Sequence, residues 1–217
     1  MNLKPVWLLR GVALSIGIAS TSLTLTACQP RDGGSPAASA AKAGDAAHFN
    51  AVDITGADYA RRLSMKDFDG KPRSLDEFKG KVVFLFFGYT QCPDVCPTTM
   101  ADLAAVRKKL GGDGNRVQGV FVTVDPSRDT PAVLKGYLSS IDPSFVGLHG
   151  TTAETEAAAK EFKVFYQKVE GRDGGYTIDH TAGAFVFDPQ GHVRLFVRYG
   201  MGVDLLAADL KQLLAGR

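Results

Sequence analysis

The stretch FFGYTQCPDVCPTTM contains two cysteines whose spacing would allow them to react with each other or to bind a metal ion. Cys92 and Cys96 lie four positions apart, where a hydrophobic run gives way to Pro97, a residue suited to the first turn of a helix. Thiols at such a turn can lie on one side, close enough to form a disulfide or to chelate one ion. A purely structural disulfide would close a very short loop, which gains the least unfolded-state entropy from cross-linking. A redox couple and a metal site remain as the alternatives.

A metal site would need a third ligand, because two thiolates form a soft pair that suits Cu(I) and imidazole is the natural addition. Of the four histidines, His48 lies in a polar tether and His192 in a predicted hairpin turn. His149 follows a short strand, where turn polarity explains it as well as a site does. His180 directly precedes the first strand of a predicted terminal hairpin, and it is either a ligand or a packed side chain.

Three further side chains near the motif have both a functional and a structural interpretation. Asp125, in TVDPSRDTP, ends a predicted strand on the same edge and either contributes to the site or serves as a turn residue or cap. Asp94, between the cysteines, adds negative charge that favours a cation, unless it is only a solvated loop residue. Tyr89 is predicted to pack rather than to react.

The elements that must position these residues alternate between strands and helices. Short continuous apolar runs predict strands buried on both faces, and apolar residues at helical spacing predict helices. The predicted elements are a hairpin at Asp69-Gly70, a strand at 81–87, a helix at 97–110, a strand at 117–124, a helix at 130–141, a strand at 145–148, a helix after Thr151 with Ala157, Ala158 and Phe162 along one side, a hairpin at 184–197 and a helix at 205–214. This order predicts an α/β sandwich that resembles a thioredoxin-like domain with extra N-terminal strands and an inserted helix. In such a fold the segment that enters the terminal hairpin packs against the redox motif, so the resemblance implies that His180 is the histidine brought to the cysteines.

The predicted fold places the cysteine loop at the edge of the sheet where function is expected. Functional groups in open α/β sheets gather beyond the carboxyl ends of the strands, and the loop 88–94 follows the strand 81–87. The N-terminus of the next helix favours thiolate over thiol, so we expect it to lower the pKa of the cysteines.

The N-terminal segment indicates the compartment. Residues 1–27 place basic residues before an uncharged, small-residue apolar segment, which is the layout of an export signal. The segment ends on Leu25-Thr26-Ala27-Cys28, which resembles the lipobox of bacterial lipoproteins and implies lipidation of Cys28. An uncleaved anchor helix is the alternative, and both place the rest of the chain outside the cytoplasm at a membrane. Residues 28–48 are predicted to be a flexible tether, and residues 49–217 one domain.

Composition narrows the functional classes further. The chain has three cysteines, and if Cys28 carries lipid, Cys92 and Cys96 remain as one pair. In an oxidising compartment that pair forms a disulfide unless it is reduced or occupied. The net charge is +2, and it falls to zero when Lys4 and Arg10 are removed with the signal. The chain therefore lacks the excess of basic residues that would indicate a nucleic-acid partner.

The segments GYTQCPDVCPTTM, VDPSRDTP and DHTAGAFVFDPQG occur in the order and spacing of the Sco/SenC family, which the chain resembles over residues 49–216. The resemblance implies a thioredoxin-like, membrane-tethered copper protein at the periplasmic face of the bacterial cell envelope. It implies one Cu(I) or Cu(II) bound through Cys92, Cys96 and His180. Gln91 stands where His is frequent in the family, which removes one accessory imidazole.

The same resemblance implies a role in assembly of the binuclear copper site of cytochrome c oxidase. The implied protein partners are the copper-site subunit of the oxidase and a second copper chaperone or a thiol reductase. The lipobox-like segment, which departs from the helix anchor of the family, implies contact with the membrane through the lipid.

Three hypotheses about function remain open. The first is a copper-binding assembly factor rather than a turnover enzyme. The second is a thiol–disulfide oxidoreductase that keeps the copper-ligand cysteines of the oxidase reduced, which needs both cysteines but not His180. The third is a thiol peroxidase, whose signature has Thr three residues before the attacking cysteine. Thr90 lies two residues before Cys92, which counts against the peroxidase.

Overall fold

The structure, a computed structural model, describes residues 48–171 and 174–217. The predicted export signal, the predicted lipidation site at Cys28 and nearly all of the predicted tether lie outside these described residues. Within the two described ranges, no helix combines the length and the apolar character needed to cross a membrane.

A mixed eight-stranded sheet forms the centre of the described domain. The strands in chain order are β1 (Val52–Asp53), β2 (Ser64–Asp67), β3 (Pro72–Ser74), β4 (Val82–Gly88), β5 (Val117–Thr123), β6 (Val146–His149), β7 (Tyr166–Glu170), β8 (Tyr176–His180), β9 (Gly183–Phe187) and β10 (Val193–Arg198). The order in the sheet is β1-β10-β9-β4-β5-β6-β2-β3, with β4, β5 and β6 parallel. The strands β7 and β8 pair with each other in a separate antiparallel sheet.

Helices follow the central strands, and two of them begin at capping residues. They are α1 (Val95–Lys109), α2 (Pro131–Ile141), α3 (Thr152–Glu161) and α4 (Val203–Leu214), with short 3₁₀ helices at Leu75–Phe78 and Gly111–Arg116. Thr130 caps α2 by accepting a hydrogen bond from the amide of Val133. Thr151 and Glu154 form a reciprocal capping box at α3. These caps fix where α2 and α3 begin.

Every residue of β4 and of β5 is buried, because helices cover the sheet on both faces. Alternate residues of a strand point to opposite faces, so Phe86 and Phe87 mark the two sides. Phe86 contacts Phe121 of β5, which in turn contacts Tyr137 of α2. Phe87 contacts Phe162 at the end of α3 on the other side. The predicted α/β sandwich is therefore confirmed.

Two local predictions differ from the structure. Ala157 is exposed, because α3 buries Thr155, Ala158 and Ala159 instead. The hairpin of β7 and β8 was not predicted, since the five residues of β7 are mostly exposed and polar and show no alternation. The segment between α2 and β9 thus contains the predicted strand β6, the predicted helix α3 and, in addition, this hairpin.

Candidate metal centre

The two cysteines lie at the carboxyl end of β4. Cys92 is half-buried in the loop between β4 and α1, and Cys96 is the second residue of α1 and fully buried. The backbone amide of Cys96 faces the sulfur of Cys92, with the nitrogen 3.5 Å from Sγ. Both thiols are free. The first turn of α1 thus places one accessible and one enclosed sulfur side by side.

His180, the last residue of β8, completes the group. Its Nε2 lies 3.4 Å from the sulfur of Cys96, and its Nδ1 lies 3.1 Å from the backbone carbonyl of Thr181. A carbonyl only accepts, so Nδ1 carries the proton of the neutral ring and Nε2 presents a lone pair to the cysteines. The rings of Phe86 and Tyr89 meet the imidazole edge-to-face, with centroids 5.8 Å and 6.0 Å away. These contacts hold the imidazole so that Nε2 faces the cysteines.

The geometry of the three side chains suits one metal ion. The ligand atoms of Cys92, Cys96 and His180 all lie within 4.8 Å of one another, and no other such group of His, Cys, Asp or Glu occurs in the described residues. Ligands bonded to one ion at about 2.0–2.3 Å lie at most about 4.6 Å apart. A shift of a few tenths of an ångström would therefore gather all three. Two thiolates and an imidazole form a donor set for a soft or borderline cation such as copper or zinc.

A glycine makes room for the enclosed sulfur. A Cβ on Gly88 would lie 2.8 Å from the sulfur of Cys96 and 2.8 Å from the ring of Phe86. Real side-chain atoms do not approach so closely, so any larger residue at this position would displace the thiol or the ring. A glycine at the last residue of β4 therefore leaves the space that the Cys96 sulfur and the Phe86 ring occupy.

Burial controls the protonation of the site. It raises the pKa of the Cys96 thiol well above its ordinary value, and it lowers the pKa of His180. Our expectation that the helix N-terminus lowers the cysteine pKa is therefore wrong for Cys96, because desolvation outweighs the helix dipole at a fully buried sulfur. A neutral imidazole and a protonated buried thiol form a site in which a metal ion must replace the proton of Cys96.

Asp129, which sequence reasoning missed, holds the cysteine loop in place. Its fully buried carboxylate accepts hydrogen bonds from the backbone amide of Thr90 at 3.1 Å and from the hydroxyl of Thr90 at 2.6 Å. It also accepts one from the hydroxyl of Thr123 at 2.6 Å. Burial raises the pKa of this carboxyl, and the three donors oppose that effect. Asp129 thereby ties the loop before Cys92 to the end of β5.

Asp125 lies next to the site and is engaged by neighbouring side chains. Its carboxylate accepts from the hydroxyl of Ser127 at 2.7 Å, from the hydroxyl of Tyr176 at 3.0 Å and from Nε of Arg128. The carboxyl is nearly fully buried and is not one of the three grouped ligands. Asp125 therefore fixes a loop beside the site. Arg128 and Tyr176 were also missed, since an arginine in a turn and a tyrosine in a polar strand carry no distinguishing spacing.

The remaining candidates are not members of the group of three ligands. Asp94 is exposed at the start of α1, and its carboxylate accepts from the hydroxyl of Tyr199 at 3.3 Å. Tyr89 is buried and packs against His180, as predicted. His149 stands opposite Lys66 in the pairing of β6 with β2. His192 is 76% exposed in the last hairpin.

The sequence is similar to those of a known protein family. The family model SCO1/SenC matches residues 52–215. A SCO2-like protein of Rickettsia felis is 38% identical over 127 residues, which cover 58% of this chain and 62% of that protein. The chain thus matches less than two thirds of the length of that relative.

The fold is similar to those of solved structures. The structure of Bradyrhizobium japonicum ScoI with copper bound is 40% identical in sequence, with a TM-score of 0.65, and the match covers 70% of this chain and 98% of that chain. The solution structure of apo Sco1 from Thermus thermophilus is 39% identical, with a TM-score of 0.69, and covers 79% of this chain and 100% of that chain. These likenesses confirm the predicted thioredoxin-like fold.

Proposed function

This chain belongs to the SCO1/SenC family, and on that premise we propose that it is a copper-binding protein that assists assembly of the binuclear copper centre of cytochrome c oxidase. The observation that carries the proposal is the group of two thiols and one imidazole nitrogen within 4.8 Å. The copper-bound structure of the Bradyrhizobium japonicum relative supports copper as the metal. The proposed ligands are Cys92, Cys96 and His180.

The three proposed ligands differ in donor element and in burial, and they therefore have different roles in the binding and the release of copper. Thiolates favour Cu(I), and an imidazole nitrogen extends the same site to Cu(II). Cys96 is fully buried beside His180, so these two ligands retain the ion. Cys92 is only half-buried, so it is the ligand that an incoming protein can replace. An accessible sulfur next to an enclosed one fits a site that hands its ion to the copper-site subunit of the oxidase.

A second candidate function rests on the same two sulfurs. Cys92 and Cys96 are free, adjacent and unequal in exposure, which suits an accessible attacking thiol and an enclosed resolving thiol. The protein would then reduce a disulfide between the copper-ligand cysteines of the oxidase. Cys92 and Cys96 would become a disulfide in the same reaction. A thiol reductase would be needed to regenerate the two thiols. This activity leaves His180 without a required role.

We further propose that the domain is attached by a lipid on Cys28 to a membrane at the periplasmic face of the cell envelope. The proposal rests on the lipobox-like segment that ends on Cys28. The described domain begins with residues that are fixed to α4. The buried carboxylate of Asp209 accepts from the amide of Asn50 at 3.0 Å and from the amide of Ala51 at 2.8 Å. A tether over residues 28–48 would therefore end where the chain is fixed to α4.

Titration of the reduced protein with copper under anaerobic conditions tests the proposed function. We expect one equivalent of Cu(I) or of Cu(II) to bind, because the three ligand atoms form one group. A double variant, Cys92→Ser with Cys96→Ser, should bind neither ion tightly, since a hydroxyl is a hard, weak ligand for copper. A wild-type protein that binds no copper, or a double variant that binds it equally well, would contradict the proposal.

The proposed anchor has its own test. Cys28→Ser should abolish lipidation and release the protein from the membrane fraction, while copper binding stays at the wild-type level because the domain begins beyond the tether. Fractionation with metabolic lipid labelling measures the first effect and copper titration the second. A Cys28→Ser protein that remains in the membrane would show that residues 1–27 are an uncleaved anchor helix.

A further inference from the structure

The strand that carries His180 is not part of the central sheet. Strand β8 pairs with β7, and these two strands form a separate sheet. The cysteines, by contrast, follow β4 in the middle of the eight-stranded sheet and are tied down through Asp129. Two residues, Thr181 and Ala182, join β8 to β9 of the central sheet. The position of His180 therefore depends both on β9 and on what attaches the β7–β8 hairpin to the cysteine loop.

Arg128 provides a polar attachment between these two parts. Its Nη1 donates to the side-chain oxygen of Gln91 at 3.1 Å and to the backbone carbonyl of Tyr176 at 2.9 Å. Its Nε donates to the carboxylate of Asp125, which also accepts from the hydroxyl of Tyr176. Gln91 directly precedes Cys92, and Tyr176 begins β8. One guanidinium thus joins the cysteine loop, the loop after β5 and the strand of His180.

Ring contacts link the guanidinium of Arg128 to the imidazole of His180 through Tyr89. The guanidinium carbon of Arg128 lies 3.5 Å from the centroid of the Tyr176 ring and 5.7 Å from that of Tyr89. Tyr89 in turn meets the imidazole of His180 edge-to-face. Tyr176 and His180 are four residues apart on one strand, so they point to the same face about 13 Å from each other. The planar, forked side chain of arginine can make these contacts together, and lysine cannot.

We propose that Arg128 is a positioning residue that sets how closely His180 approaches Cys92 and Cys96. The inference rests on the proposed copper-binding function and assigns a residue outside the ligand set to the same site. Arg128 acts through His180, because the cysteines keep their own support from Asp129. Loss of Arg128 should therefore weaken the nitrogen ligand and spare the two sulfurs. Cu(II), which favours nitrogen more than Cu(I) does, should be the ion that is lost.

The test compares Arg128→Met with Arg73→Met in the purified, reduced protein. Arg73 is a matched control, because it also pairs with a buried aspartate, Asp67, and the side-chain exposures are 23% and 3% against 20% and 4% for Arg128 and Asp125. We expect Arg128→Met to lose about 10–100-fold in Cu(II) affinity, as outer partners of metal ligands typically do, with a smaller loss for Cu(I). The thiolate-to-Cu(II) charge-transfer absorption should change as well. Arg73→Met should match the wild type in all three measurements.

A double-variant cycle identifies the route of the effect. In a His180→Ala background, Arg128→Met should cause no further loss of Cu(II), because the residue through which it acts is gone. Arg128→Lys keeps the charge but not the fork, so it should fall between wild type and Arg128→Met, and it serves as the test variant if Arg128→Met does not fold.

Three results would overturn the inference. Additive losses in the cycle, equal losses of Cu(I) and Cu(II), or an Arg128→Met protein with wild-type Cu(II) affinity and absorption would each show that Arg128 does not act through His180. A wild-type protein that binds no copper would instead overturn the proposed function, and the inference with it.

Discussion

The reduced protein should melt at a higher temperature when copper is added, and the disulfide form should not. An ion that binds the folded state alone stabilises it by mass action, by about 4 kcal/mol at a free concentration 1,000 times the Kd. For a domain of this size each kcal/mol raises the Tm by about 2–4 °C, so the expected shift is about 8–16 °C. Oxidation joins Cys92 to Cys96 and removes both thiolates, which leaves His180 alone.

The measurement is thermal unfolding of reduced and oxidised protein, each with and without copper. The Cys92→Ser, Cys96→Ser double variant serves as a control, because it cannot form the disulfide and lacks the thiolates under both conditions. It should show no shift. Equal shifts for the reduced and oxidised wild type would place the metal elsewhere on the protein.

Much of this site could be predicted because its positions follow from local sequence and topology. The apolar run of β4 and Pro97 place the cysteines at a strand-to-helix turn, where the structure has them. His180 was singled out among the histidines because it precedes β9, and the structure brings its Nε2 to 3.4 Å from Cys96. In each case one short pattern determines the position of one residue.

The parts that could not be predicted depend on contacts between distant segments. Gln91, Arg128 and Tyr176 are far apart in sequence, and only their meeting in space gives Arg128 a role. The β7–β8 hairpin escaped prediction because its first strand is polar and exposed on both sides. The direction of the Cys96 pKa shift was also missed, because a sequence pattern shows the nearby helix end but not the complete burial of the sulfur.

His180→Ala separates copper delivery from disulfide reduction. If the protein delivers copper, the imidazole completes a site that two thiolates cannot match, particularly for Cu(II). Loss of a direct ligand should then cost more than the 10–100-fold typical of outer partners, so we expect a loss of Cu(II) affinity of at least about 100-fold. The loss of Cu(I) should be partial. If the protein instead reduces a disulfide, Cys92 and Cys96 suffice and the substitution should shift their reduction potential only modestly.

Oxidase activity in cells under limiting copper decides between these functions, at matched levels of each variant. His192→Ala is the matched control, because His192 is 76% exposed in the last hairpin and lies outside the group of three ligands. We expect His180→Ala to be as inactive as the Cys92→Ser, Cys96→Ser double variant and His192→Ala to be as active as wild type. Full activity of His180→Ala would contradict copper delivery through His180 and favour the reductase. Equal loss in the two site variants would mean that the sulfurs and the imidazole act as one unit, because the two sulfurs without the imidazole then serve no better than the imidazole without the sulfurs.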